Sequence, residues 1–195
     1  MFKNLLILIS LFAFSSCSGK IENYNFAQKS LSKTISIIKP ELKLDLAVDE
    51  KFCTYGFQDS SKNYITPIYS DDNKYLLIET KGAGKVYLSE VKCYVKKDGA
   101  NYERTFPFNN LYFEAKQNQI NYAGSLEISW KPKDINIISA LKNFTIPTNN
   151  SGYLSIENSN KLDEVKAYLA NKNNSLPINF TPLNKDGLKR FGSKK

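Results

Sequence analysis

The chain has 195 residues, 42% hydrophobic and 13% aromatic, enough for one ordinary domain with a real core and too few for two full ones. Its 27 Lys+Arg against 19 Asp+Glu give a net charge of +8, but only Arg104 and Arg190 offer the guanidinium suited to bidentate phosphate contacts, so nucleic acid is not an expected partner. There is no histidine, which excludes Ser-His-Asp and Cys-His nucleophiles, His-containing zinc sites and imidazole bases.

The chain opens with Lys3 and an apolar run over residues 5–14 (LLILISLFAF). That run has the size of a signal-peptide core and falls short of the roughly 20 residues that a membrane-spanning helix needs. Small Ser15 and Ser16 follow, then Cys17. This stretch resembles the lipobox of bacterial lipoproteins, with Phe14 standing where that family usually carries Leu. In that family the leader is cut before the cysteine, the thiol is diacylated and the new amino group is acylated too. The resemblance implies a signal peptide over residues 1–16 and lipidation of Cys17, and several acyl chains on one residue make a stable anchor. Ser18 is not the aspartate associated with inner-membrane retention. The implied address is therefore the outer membrane, with the periplasmic or surface orientation open.

Residues 17–34 are polar without a sustained period and read as a lipidated N-terminus and tether. Period-two alternation then sets in, with Leu42, Leu44, Leu46 and Val48 on one side of a strand. Short strands are predicted over 53–57 and 63–69, followed by a turn at SDDNK, residues 70–74. Strands over 74–80 and 85–95 flank KGAG and suggest a hairpin; in the second, Tyr87, Val91, Cys93 and Val95 share a face. Strands over 109–115 and 119–130 read as the next pair. Ile120, Tyr122, Leu126, Ile128 and Trp130 are expected on one face, and Gly124 among them suggests a bulge or a close backbone approach. Two more strands are expected over 135–141 and 152–158. A helix is predicted over about 160–172, with Leu162, Val165 and Leu169 on one face and Ser159 or Asn160 as cap.

Many short strands and one late helix predict a mainly β fold, an antiparallel β-sandwich domain over 35–172, followed by a basic, partly disordered tail over 173–195. GKVYLSEV with the later INYAGSLEI is similar to a pattern in small bacterial envelope lipoproteins with an immunoglobulin- or transthyretin-like sandwich. That similarity covers about residues 75–130 and carries no functional residue across.

Few residues call for chemistry. Cys53 and Cys93 remain once Cys17 is lipidated, and an even pair in an oxidising compartment suits a disulfide; two buried free thiols fit the same positions. Tyr64, Tyr69, Tyr75, Tyr102 and Tyr112 flank turns or strand ends and are the candidates for a ligand groove, the alternative being ordinary half-buried sheet positions. Asp71, Asp72 and Asn73 lack the spacing of a calcium loop and read as a turn. Glu79, Glu90, Glu103, Glu114 and Glu127 read as polar halves of alternating strands. No catalytic residue, metal or cofactor is expected. The implied role is a non-enzymatic, lipid-anchored envelope protein, a binding or structural module in contact with another envelope protein or polymer. The alternatives are a surface lipoprotein meeting host molecules (an adhesin or antigen) and an envelope hydrolase working without histidine.

Overall fold

Two kinds of strand are present, and their burial sorts them into two sheets. In the computed structural model, which describes residues 20–21, 24–29, 32–44, 47–97, 100–131, 145–147, 153–170, 172 and 174–184, β1 (Thr34–Leu44) is buried at five consecutive positions, Thr34 to Ile38. β5 (Leu76–Thr80) buries Leu76, Leu77 and Ile78 in a row. Consecutive burial requires cover on both faces. β6 (Gly84–Lys97) instead alternates, burying Val86 and Leu88, then Val91, Cys93 and Val95, as a strand covered on one face does.

The doubly covered inner sheet runs β11 (Tyr153–Ser159), β9 (Ile120–Lys131), β1, β5, β4 (Ile68–Tyr69), with β12 (Ile178–Phe180) beside the start of β9. The outer sheet runs β10 (Thr145–Pro147), β7 (Ala100–Pro107), β6, β2 (Glu50–Gln58), β3 (Tyr64–Ile65), with β8 (Tyr112–Ala115) beside the start of β6. The main core lies between them: Ile38, Leu76, Ile78, Leu126 and Ile128 of the inner sheet pack with Phe57, Leu88, Val91, Val95 and Phe106 of the outer. On the far side of the inner sheet, Ile35, Ile37, Leu77, Ile120 and Tyr122 pack with Val165 and Leu169 of α2 (Leu162–Ala170). The same layer holds Ile21 and Phe26, the latter on the single turn α1 (Phe26–Lys29). Asn160 caps α2 by accepting from the Leu162 amide at 3.1 Å.

The chain is thus a mainly β sandwich with one late helix, and it departs from the sequence reading in its connections. β5 and β6 form no hairpin; KGAG carries the chain from the inner sheet to the outer one, with Gly84 at φ +147°. β8 and β9 likewise lie in different sheets. The burial patterns explain this, because a strand apolar on both faces cannot pair in a sheet whose other face meets water. The pairing is also mixed: β1 and β12 run parallel to β9, and β10 runs parallel to β7.

The expected single apolar face of β9 is split. Ile120 and Tyr122 face the helix layer, whereas Leu126 and Ile128 enter the core between the sheets. The switch is a bulge, since β1 advances from Ile37 to Lys39 while β9 advances from Tyr122 to Ser125. Gly124, at φ +105°, sits in it, and the Asn158 amide group donates to the adjacent Ala123 carbonyl at 2.9 Å. The side chain of Trp130 lies outside the described residues, as does the segment read as a strand over 135–141.

Both ends also differ from expectation. Part of the stretch read as a tether is core: Ile21 is fully buried, Phe26 nearly so, and the Tyr24 hydroxyl donates to Glu79 Oε1 at 2.6 Å. Part of the stretch read as a tail is core as well. Leu183 is buried between the sheets, and the Tyr112 amide donates to Asn184 Oδ1 at 2.8 Å. Isolated apolar residues in polar runs anchored both segments, and they left no period to read.

Candidate binding groove

The corner between β1 and β2 takes the chain from the inner sheet to the outer. Beside that corner the sandwich opens into a groove of about 450 Å³. Pro40 and Leu42 form one wall, and residues 51–55 of β2 form the other. Tyr69 and Asn73 also line it. The lining is apolar where it meets the core: Leu42, Cys53 and Tyr69 are half-buried residues packed against it.

The SDDNK turn positions Asn73 and the neighbouring Tyr69. Ser70 is fully buried; its hydroxyl accepts from the Tyr75 amide at 3.0 Å and donates to Asp72 Oδ1 at 2.7 Å. Asp72 also accepts from the Lys74 amide at 3.0 Å and pairs with the Lys74 ammonium at 3.0 Å. The Ser70 hydroxyl, followed by the Lys74 donors, holds the Asp72 carboxyl down at about 2, against the usual carboxylate near 4. Lys20 ties the N-terminal segment to this turn, bridging Tyr69 through the backbone and pairing with Asp71 at 3.5 Å.

Cys53 and Cys93 face each other across β2 and β6 as a disulfide, their Cα atoms 4.0 Å apart. Cys93 is fully buried, while Cys53 reaches the groove. In the chain-entropy account, a loop of 40 residues closed this way gains about 4 kcal/mol. Phe52 is 56% exposed on the outer face, stacked on Tyr94 with ring centroids 4.6 Å apart. Burial pushes the Tyr55 phenol well above its ordinary value, with a smaller contribution from Tyr69. Tyr69 is raised by burial too, against the opposing pull of a hydrogen bond from the Tyr55 amide. Both phenols are therefore neutral at physiological pH.

The five tyrosines singled out from sequence do not come together. Tyr69 lines the groove. Tyr64 stands alone at 79% exposure, and Tyr75 is buried on the helix side, stacked on Tyr168 at 4.1 Å. Tyr112 lies on the outer sheet beside Tyr87, with Lys85 4.3 Å from its ring centre. The side chain of Tyr102 lies outside the described residues, as does Cys17. Phe52, Lys51 and Leu42, which do line the groove, were not legible as a group, since β1 and β2 meet there only through the corner. Among the described residues no group of His, Cys, Asp or Glu could hold a metal, and no helix is long and apolar enough to cross a membrane. Compared with protein-family models, with curated proteins and with solved structures, the chain matches none.

Proposed function

We propose that this protein is a lipid-anchored module of a bacterial cell envelope that works by binding rather than by catalysis. The observation that carries the reading is the leader: residues 5–14 are apolar, Ser15 and Ser16 are small, and Cys17 follows at once. Acylation of Cys17 would hold the domain at a bilayer, the outer membrane by the residue after the cysteine. The Cys53–Cys93 bridge supports a compartment outside the reducing cytosol. The binding role rests on the character of the groove. Its lining carries aromatic and aliphatic side chains and one amine, Lys51, which is exposed. A hydroxyl–lysine nucleophile needs a desolvated amine, and a glycosidase needs two facing carboxylates; the lining supplies neither.

Replacing Cys17 by Ser and fractionating cells tests the anchor. Wild-type protein is expected in the membrane fraction and Cys17→Ser in the soluble envelope fraction. Retention of the variant in the membrane would remove the basis of the reading. Protease added to intact cells then distinguishes a surface orientation, in which the domain is lost, from a periplasmic one.

A further inference from the structure

We propose that the groove beside the β1–β2 corner takes an extended, acidic segment of another polypeptide, which adds as a strand to the open edge of β2. The proposal deepens the binding reading, and it stands independently of the Cys17 anchor.

Three observations carry it. The first is an unpaired edge. On the side away from β6, β2 pairs with β3 only at Phe57 and Gln58, so residues 50–56 have no partner strand there among the described residues. Among the described residues the facing half of β1 is open as well, because β5 pairs only with Thr34 to Ile38. The second is the direction of the backbone groups. The 4.0 Å Cα separation of Cys53 and Cys93 is that of a narrow, non-hydrogen-bonded antiparallel pair. The N–H and C=O of Cys53 therefore point away from β6, into the groove, and by alternation so do those of Lys51 and Tyr55. The Tyr55 amide does so, since it meets the Tyr69 phenol. Lys51 and Cys53 are left to offer donors and acceptors to an incoming strand. The third is the half-buried apolar wall, where Leu42, Cys53 and Tyr69 pack against the main core. Alternate side chains of an added strand would cover it, which is how strand addition gains specificity.

Charge selects the occupant. Lys51 is the charged side chain of the lining, and the chain carries +8 overall. A second copy would bring the same sign to the same edge, whereas acidic residues would meet Lys51 favourably.

The test uses the full chain in detergent micelles and three synthetic eight-residue peptides: alternating Glu and Val, alternating Lys and Val, and the Glu–Val sequence N-methylated at every second nitrogen. Amide exchange and chemical shifts are read by NMR. The Glu–Val peptide should bind and slow exchange at the Lys51 and Cys53 amides about tenfold or more, and the Lys–Val and N-methylated peptides should not. Lys51→Glu should weaken the Glu–Val peptide by about tenfold, the order expected for one reversed charge pair. Lys51→Arg should preserve binding. Lys51→Pro, which removes a donor facing the groove and none in the β2–β6 ladder, should abolish binding with the native spectrum elsewhere intact. The proposal is overturned if the Glu–Val peptide fails to bind at millimolar concentration, if it binds without protecting those two amides, if the Lys–Val peptide binds equally well, or if the protein dimerises through this edge.

Discussion

Gly124 is the residue on which the most structure turns. It takes φ +105°, and a Cβ built there would lie 2.2 Å from Nδ2 of Asn158. That amide cannot easily step aside. It donates to the Ala123 carbonyl at 2.9 Å, and its Oδ1 accepts from the Leu183 amide at 3.3 Å. Gly124→Ala should therefore cost about 3 kcal/mol, from positive-φ strain plus the collision, read as a lower urea midpoint. Adding Asn158→Ala should relieve the collision and leave the strain, so the two substitutions should be non-additive. A second residue carries a charge-dependent contribution. The Asp72 carboxyl, held at about 2 when folded, titrates near 4 when unfolded. The stability it adds is present above about pH 4 and is lost as pH falls toward 2. Asp72→Asn should be less stable than wild type at pH 7, by under about 1 kcal/mol because the side chain is half exposed and screened. The two denaturation midpoints should draw together between about pH 4 and 2 and meet below pH 2; a constant gap over that range would contradict this account.

At the scale of elements, burial on one face or two is the distinction that matters, and it was only partly legible. The late helix and the alternation of β6 from Val91 onward stand out in the sequence, and both are present. Tyr87, expected beside Val91, lies on the opposite face, because β6 carries an extra residue where Gly56 pairs with Glu90 and Phe57 with Leu88, and Val86 and Leu88 are buried instead. The apolar run YLLI was equally visible, but a run says that both faces are covered without saying by what. Here the cover is the outer sheet on one side and, on the other, α2 together with a short N-terminal segment that has no period to betray it. Asn121 shows the same limit. It looks like an outward polar position, yet it is fully buried, because its side chain satisfies the turn that links the sheets. It accepts from the Lys116 amide at 2.9 Å and donates to the Ile35 carbonyl at 3.0 Å and the Lys116 carbonyl at 2.9 Å. The groove was illegible for a related reason: residues 40–42 and 51–55 belong to different sheets, and only the crossing at their corner sets them opposite one another. If the N-terminal segment is part of the fold, Phe26→Ala should cost about 3 kcal/mol, as for a large buried aromatic, and should speed exchange across Ile35 and Ile37. A change within about 0.5 kcal/mol would mean that the segment is dispensable cover.

For the molecule as a whole, the docked N-terminus changes the geometry of the proposed anchor. Lys20 already bridges Tyr69, so three residue steps separate it from Cys17, a reach of at most about 11 Å. An acylated Cys17 would hold the domain close against the bilayer, with the Tyr69 side of the groove toward the lipid, rather than letting it swing on a long linker. The excess of lysine would favour that apposition on an anionic surface. All of this depends on the modification of one residue. Mass spectrometry of the N-terminal peptide from protein purified out of its native membrane tests it most directly. The account predicts a chain beginning at Cys17 and carrying the mass of a diacylglyceryl thioether with an amide-linked acyl chain. A chain that retains residues 1–16, or one that begins at or after Cys17 without added lipid mass, would contradict it.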